Sequence, residues 1–257
     1  MTEDVFVSIS EKTQIIQINR PSKKNALTHA MYSKMQQSLI EAESNPNIKT
    51  TIIYGSTDCF TSGNDLVEFA NWDNSDFTAS PVGKFLTALA TATKPVIAAV
   101  NGEAIGIGTT MLLHCDFIYA GTNSRFQMPF VSLGLSPEGA SSLLLPTIMG
   151  HCRAAELLLL AQIFDSEKAL ACGLINDVCD PLATLDTALK TAEILNSQPT
   201  SAVALTKQLL KKQSTEQTMQ TMQTEGNVFS ERLKSPEAEE AFNAFFAKRK
   251  PDFSQFD

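Results

Sequence analysis

Short apolar segments rich in β-branched residues alternate with helix-length segments through the first half of the chain. Residues 51–54, 95–100 and 117–120 have the composition of buried strands, and amphipathic helical patterns lie between them. Parallel strands need crossover connections of this length, whereas antiparallel strands can be joined by tight turns. The sequence therefore predicts an α/β fold with a largely parallel sheet.

The two ends of the chain have different patterns. Residues 5–9 and 13–18 alternate as two short strands, and a helix is expected from Thr28, a residue type that caps helix N-termini. Six further helical segments are predicted toward the C-terminus, at residues 157–160, 166–173, 184–196, 201–212, 215–233 and 236–248. No long linker separates these regions. We expect one structural domain, with a core at residues 1–196 and a helical C-terminal region at residues 197–257.

Composition restricts the partners that this chain can have. Of its 257 residues, 20 are Lys or Arg and 28 are Asp or Glu, which gives a formal net charge of −8. An excess of negative charge disfavours general binding to nucleic acids and anionic membranes. A local basic patch could still bind a small anion. The five cysteines and three histidines are scattered, so neither a disulfide framework nor a metal site is predicted. No targeting or membrane segment is visible, and we expect a cytoplasmic protein.

A glycine turn follows the predicted strand at residues 95–100. Gly106-Ile107-Gly108 opens an apolar helical pattern, and a helix N-terminus presents free N–H groups to negative charge. The third glycine of a dinucleotide-binding motif is replaced by Met111, which makes such a site improbable. The turn is typical either of a plain strand–helix connection or of an oxyanion pocket.

A polar loop follows the strand at residues 51–54. Ser62-Gly63-Asn64-Asp65 allows exposed N–H groups and the close approach of a ligand. Loops beyond the carboxyl ends of parallel strands form the binding sites of open α/β sheets. A simple Asx turn would show the same residues.

One carboxylate lies in apolar surroundings. Ser136 and Pro137 are typical of an N-cap and a first helical position, so we expect Glu138 in the first turn of a helix. An acidic residue there can simply favour the helix dipole. Because Leu133 and Leu135 are close in sequence, partial desolvation could instead adapt Glu138 to proton transfer.

Several segments together resemble the crotonase, or enoyl-CoA hydratase/isomerase, superfamily. The resemblance runs over nearly the whole chain, and the segments that carry it most clearly occur in order. They are Asn19-Arg20-Pro21 with Asn25-Ala26-Leu27, Phe60-Thr61-Ser62-Gly63-Asn64-Asp65-Leu66, Lys94-Pro95-Val96-Ile97-Ala98-Ala99-Val100-Asn101-Gly102, and Cys115-Asp116-Phe117-Ile118-Tyr119-Ala120. The resemblance implies a spiral of ββα units and a helical C-terminal region that mediates trimerisation.

The resemblance also implies a site for an acyl-CoA thioester. The backbone N–H groups of Ser62 and Ile107 would form the oxyanion hole for the thioester carbonyl. CoA would arrive as part of the substrate, with no separate cofactor or metal, and the protein would be a homotrimer or hexamer. The implied CoA- and substrate-binding residues are Lys24, Ala26, Leu27, Ser62, Gly63, Asn64, Asp65, Leu66, Gly106, Phe130 and Lys248.

The acidic residues distinguish the subgroups of this family. Hydratases of the family use two glutamates, and the matching positions here hold Thr110 and Phe130. Glu138 instead lies where hydratases carry glycine, which is similar to peroxisomal-type Δ3,Δ2-enoyl-CoA isomerases and implies that Glu138 is the catalytic base. Two alternatives stay open: another CoA-thioester reaction, hydrolytic or hydratase-like, and a non-catalytic acyl-CoA-binding or interaction module.

Overall fold

The computed structural model describes residues 3–70 and 77–256. Within these ranges the larger sheet has six strands in the order β1-β2-β3-β5-β7-β10, antiparallel between the first two and parallel elsewhere. These strands are β1 (Val5–Ser10), β2 (Thr13–Ile18), β3 (Thr50–Tyr54), β5 (Val96–Val100), β7 (Phe117–Gly121) and β10 (Asp177–Cys179). The predicted parallel sheet is confirmed.

A second sheet lies beyond the carboxyl ends of the first. Its strands, in the order β4-β6-β8-β9, are β4 (Cys59–Thr61), β6 (Glu103–Ile105), β8 (Arg125–Gln127) and β9 (Phe164–Asp165). β3, β5 and β7 of the large sheet are each followed along the chain by one strand of the small sheet. This succession builds the expected ββα units. The small sheet was not predicted, because three-residue strands are too short to show a period of two.

Helices connect and cover the sheets. Their bounds are α1 (His29–Ser44), α2 (Leu66–Ala70), α3 (Pro81–Thr91), α4 (Ile107–Thr110), α5 (Ser141–Met149), α6 (His151–Leu160), α7 (Ser166–Ala171), α8 (Thr184–Ser197), α9 (Thr200–Lys211), α10 (Thr215–Arg232) and α11 (Pro236–Phe246). Thr28 caps α1, as expected, by accepting a hydrogen bond from the Met31 N–H. The helices predicted toward the C-terminus are also confirmed, to within a few residues at their ends, except that α6 begins earlier, at His151.

One helix start was predicted wrongly. Ser136 does not cap a helix, and Glu138 does not lie in a first helical turn, because α5 begins only at Ser141. Gly139 and Ala140 have φ values of +68° and +57°, in the left-handed region, and no α-helix can run through them. Residues 136–140 are therefore a loop whose side chains are placed by tertiary contacts.

The C-terminal helices share the main core with the sheets. Met222 and Phe229 of α10 and Phe242 of α11 belong to the same buried cluster as Phe85 and Leu86 of α3. Residues 197–257 thus bury apolar surface against the part of the chain that precedes them. Within the described ranges, no helix has the length and apolar character needed to cross a bilayer.

Candidate active site

Two glycine-containing loops meet where β4 and β6 end. The two strands are parallel neighbours, with Thr61 opposite Ala104. Gly63 has a φ of +92°, and a β-carbon there would lie 2.8 Å from the carbonyl oxygen of Ile105, so glycine is required. Gly106 has a φ of +58° and open space in front of it. The sheet therefore brings the residues following Ser62 next to those following Gly106.

The free N–H groups of these loops differ from the expectation at one position. The Ser62 N–H donates to the Lys24 carbonyl at 3.0 Å, and the Asp65 N–H donates to the Leu27 carbonyl at 2.9 Å. Ser62 is therefore not an available donor, and that prediction is wrong. Between these two bonds the Gly63 carbonyl accepts a hydrogen bond from the Leu27 N–H at 2.8 Å, so Leu27 and Asn64 form a parallel bridge in which the Asn64 N–H is not used. Within residues 3–70 and 77–256 neither the Asn64 nor the Ile107 N–H donates to a protein acceptor.

Two side-chain contacts fix the polar loop at residues 62–65. The Tyr32 hydroxyl donates to Asn64 Oδ1 at 2.5 Å, and Arg20 Nη1 lies 2.7 Å from Asp65 Oδ2. The Arg20 guanidinium holds the pKa of the Asp65 carboxyl below its usual range. Leu27 is buried beside the loop, whereas Ala26 and Leu66 are partly exposed. Four of the expected binding residues therefore lie around Asn64: Ala26, Leu27, Asp65 and Leu66. Asp65 fixes the loop through its contact with Arg20.

Glu138 is a buried carboxyl that contacts the end of α4 opposite to the Ile107 N–H. Its Oε1 accepts a hydrogen bond from the hydroxyl of Thr110, the last residue of α4, which begins at Ile107. Its Oε2 has no hydrogen-bond partner among the described residues. Burial raises the pKa of Glu138 to about 8, although the Thr110 hydrogen bond opposes the rise. A carboxyl of this kind can take up and release a proton near neutral pH.

The neighbours of Glu138 are uncharged apart from one. Burial raises the pKa of Tyr32 well above its ordinary value, and burial lowers the pKa of His114 to about 4. His114 Nε2 lies 2.9 Å from the Gly139 carbonyl oxygen. Glu225 of α10 is the exception, and the sequence analysis missed it because residues 215–233 show only a helical pattern.

The two positions that carry glutamates in hydratases have other roles here. Thr110 is fully buried and bound to Glu138, while Phe130 is buried and packs edge-on against Phe229 with ring centroids 6.3 Å apart. Phe77 covers Gly226, where a β-carbon would lie 2.4 Å from the Phe77 ring. Neither Thr110 nor Phe130 can act as an acid or base.

The two lysines expected to bind CoA phosphates lie on the surface. Lys24 Nζ is 2.9 Å from Glu103 Oε1 in an exposed ion pair, which keeps its side chain at the rim of the loop that holds Ser62. Lys248 is exposed just beyond the end of α11, and it is not part of the cluster around Asn64 and Glu138. In the described ranges, no three His, Cys, Asp or Glu side chains are grouped to hold a metal ion.

Comparisons with known proteins agree with this arrangement. The family profile for enoyl-CoA hydratase/isomerase matches residues 8–256. The chain is 31% identical to 2,3-dehydroadipyl-CoA hydratase of Escherichia coli, covering 97% of this chain and 98% of that protein. It is 34% identical to enoyl-CoA delta isomerase 2 of Rattus norvegicus, covering 92% of this chain but only 61% of that protein.

Solved structures confirm the crotonase-type fold that the sequence predicted. OdaA of Pseudomonas aeruginosa is 45% identical, with a TM-score of 0.91 over 95% of this chain and 99% of that one. An enoyl-CoA hydratase/isomerase of Pseudoalteromonas atlantica is 38% identical, with a TM-score of 0.93 over 98% and 100%. Hydratases and isomerases are both among the relatives. The chain therefore belongs to the enoyl-CoA hydratase/isomerase family, within the crotonase superfamily of enzymes.

Proposed function

We propose that this enzyme is a Δ3,Δ2-enoyl-CoA isomerase, which moves the double bond of a 3-enoyl-CoA thioester to the trans-2 position in the oxidation of unsaturated fatty acids. The observation that carries the proposal is the buried carboxyl of Glu138, whose Oε1 is bound to Thr110 and whose Oε2 has no partner among the described residues. The positions of the two hydratase glutamates hold Thr110 and Phe130. One acid–base group is sufficient for isomerisation, in which no water is added.

The reaction needs one proton to leave C2 and one to arrive at C4. Glu138 as carboxylate takes the C2 proton, the C2–H electron pair enters the conjugated system, and negative charge develops on the thioester oxygen as a dienolate. Glu138, now protonated, gives the proton to C4: the C3–C4 π pair forms the new C4–H bond, the C1–C2 π pair moves to C2–C3, and the oxyanion restores the thioester carbonyl. A pKa of about 8 suits both halves of this transfer, because neither protonation state is strongly favoured at neutral pH.

The developing oxyanion requires hydrogen-bond donors that do not have to reorganise. The N–H groups of Asn64 and Ile107 are our proposed donors, with Asn64 replacing the Ser62 expected from sequence. Each such donor contributes about 3–4 kcal/mol of transition-state stabilisation in enzymes that use an oxyanion hole. Gly63 and Gly106, the residues that precede these two donors, both have positive φ values.

CoA recognition is assigned to the rim of the site. Lys24 carries positive charge for the phosphates at this rim, and the loop around Ala26 and Leu27 flanks the donor at Asn64. Lys248, which lies outside this cluster, stays a predicted phosphate contact. The exposed Lys24–Glu103 ion pair has little net stability, so Lys24 can exchange it for a phosphate at low cost. No separate cofactor is needed, since CoA belongs to the substrate.

Assembly is a separate part of the proposal. Leu205, Leu209 and Leu210 of α9 are each more than half exposed, with the largest exposed fraction, 80%, at Leu210. Exposed leucines grouped on one helix are typical of an interface between subunits. We propose a homotrimer or a hexamer formed by the C-terminal helical region. Light scattering of the purified protein tests this directly, and a monomer would contradict it.

The activity is tested with 3-hexenoyl-CoA and 3-octenoyl-CoA. We expect the purified protein to convert both to 2-enoyl-CoA of unchanged mass, and Glu138→Gln to lose about 10³-fold or more in kcat. Glu231→Gln, which alters an exposed carboxylate on α10, is the matched control and should retain full activity. Absence of conversion, or equal rates for Glu138→Gln and the control, would refute the proposal. A product heavier by one water would identify a hydratase instead.

A further inference from the structure

Glu225 forms the N-terminal cap of a helix to which it does not belong. α5 begins after Ala140, which has no side chain able to accept a hydrogen bond, so the first N–H groups of α5 need another partner. Glu225 Oε1 accepts a hydrogen bond from the Ser142 N–H at 2.8 Å. Burial raises the pKa of the Glu225 carboxyl, and hydrogen bonds from Ser142 and from the N–H groups of Ala140 and Ser141 oppose that rise. A buried side chain of α10 therefore holds the start of α5.

The residues held in this way lead directly to Glu138. Only Gly139 separates Glu138 from Ala140, and both Gly139 and Ala140 have positive φ values. A left-handed conformation at alanine is unfavourable by about 1–2 kcal/mol, and it persists only where surrounding contacts enforce it. Among those contacts are the hydrogen bond of Glu225 on one side and that between His114 and the Gly139 carbonyl on the other.

Glu225 also acts on Glu138 through its charge. The groups near Glu138 are the Thr110 hydroxyl on α4, Tyr32 on α1, His114 in the turn after α4, and Glu225 on α10. Tyr32 and His114 are neutral at physiological pH, because burial moves both pKa values away from it. The charge that opposes ionisation of Glu138 is therefore that of Glu225, whose Oε2 has no partner among the described residues.

We propose that Glu225 is a positioning residue for Glu138, which fixes the turn at residues 138–140 through the N-terminus of α5 and places a negative charge beside the catalytic carboxyl. The inference rests on the proposed role of Glu138 as the base. Glu225 touches neither substrate nor reacting atoms in this scheme. It sets where Glu138 lies and how firmly Glu138 keeps the proton between its removal from C2 and its return to C4.

Two substitutions separate the two effects. Glu225→Gln keeps an oxygen that accepts the Ser142 N–H and removes the charge, so the acid limb of the pH profile of kcat/KM should move to lower pH, with the plateau kcat within about twofold. Glu225→Ala removes both effects and should lower kcat about tenfold with little change in KM. Glu231→Gln, on the exposed side of α10, should leave the limb unmoved. If Glu225 had only a structural role, the acid limb of the kcat/KM profile would lie at the same pH in Glu225→Gln as in the wild type. That result would overturn the inference.

A measurement without substrate separates this inference from the proposed activity. The pH dependence of the unfolding free energy, compared for the wild type, Glu138→Gln, Glu225→Gln and the double variant, isolates the titration of Glu138 in each background. We expect that titration at lower pH when residue 225 is glutamine. Failure of the isomerase assay would leave this comparison valid, whereas identical titrations in both backgrounds would refute the role of Glu225. If Glu225→Gln does not fold, Glu225→Asp, which keeps the charge, should titrate as the wild type does, and a displaced titration would contradict the inference.

Discussion

The two halves of the candidate site are built on different principles. The donor half, the N–H groups of Asn64 and Ile107, is fixed by backbone at the ends of two paired strands, where Gly63 and Gly106 take positive φ values. The acid half is Glu138, in a loop with no regular structure, held by Thr110 on one side and by α10 on the other. The first half presents permanent dipoles, and the second presents a group whose charge depends on its surroundings.

Because of this difference, the two halves should lose activity in response to different changes. Backbone donors do not titrate, so the donor half should fail only when an N–H group is removed or displaced. The acid half depends on burial and on neighbouring charges, so it should respond to pH and to substitutions that leave its geometry intact. Each of the following experiments changes one half while leaving the other in place.

Within the donor half, the largest effect is expected from Ile107→Pro. Proline lacks the N–H group but is well tolerated at the first position of a helix, which Ile107 occupies in α4. We expect kcat for 3-hexenoyl-CoA to fall by about 10²–10³-fold through the loss of one oxyanion donor. Steady-state kinetics give the result, and circular dichroism verifies that the variant is folded.

Ile107→Ala is the matched control for this substitution. It keeps the N–H group and removes most of the same buried side chain, at a cost in stability of about 2–5 kcal/mol. We expect its kcat to stay within about fivefold of the wild type. Equal losses of kcat in the alanine and proline variants would mean that packing, and not hydrogen-bond donation, is the contribution of residue 107.

The second prediction concerns stability and the acid half. The pKa of Glu138 is raised from 4.5 to about 8 on folding, so the folded protein binds more protons than the unfolded chain between these pH values. The resulting stabilisation is complete below about pH 4.5 and is lost as pH rises through about 8. It amounts to roughly 5 kcal/mol, and Glu138→Gln should abolish this part of the pH dependence. Urea unfolding between pH 5 and 9 measures it, and parallel curves for both proteins would contradict it.

The sequence predicted most of the donor half, and its one error, the choice of Ser62 as a donor, has a physical reason. Glycines after predicted strands identified both loops, and Ile107 was located correctly at a helix start. Ser62 was a wrong choice because hydrogen-bond pairing with the Lys24–Leu27 segment depends on the backbone turn at Gly63. The Ser-Gly-Asn-Asp pattern identifies the loop. The residue type at a position does not indicate whether its backbone N–H is hydrogen-bonded.

Less of the acid half could be predicted from sequence. Glu138 was identified by its position within a family pattern, but its expected helical context was wrong, because Ser136-Pro137 has the composition of a helix start that the left-handed Gly139 and Ala140 prevent. Glu225 lies 87 positions further along the chain and reaches the site only through packing of α10. Local patterns carry no information about such contacts, which arise when distant helices share one core.

Thr110→Val tests the acid half on the side opposite Glu225. Valine has nearly the same shape as threonine but cannot donate the hydrogen bond that favours the ionised form of Glu138. The pKa of Glu138 should rise further, so less of the base is ionised at pH 7 and kcat/KM there should fall about tenfold. The loss should be recovered at higher pH. A pH-independent loss would instead indicate misplacement of the carboxyl.

The smallest effect is expected at the rim of the donor half, from Lys24→Ala. The Lys24 carbonyl accepts the Ser62 N–H and belongs to the frame of the loop, whereas its ammonium group forms only an exposed ion pair with Glu103. Removing the side chain leaves that carbonyl in place, so kcat should be unchanged. KM should rise about two- to fivefold through the loss of one phosphate contact, and the rise should shrink with increasing salt because exposed charges are screened. Glu103→Gln is the matched variant: it frees Lys24 from its partner and should lower KM slightly. Equal KM values for all three proteins would place the CoA phosphates elsewhere and leave Lys24 with a purely backbone role.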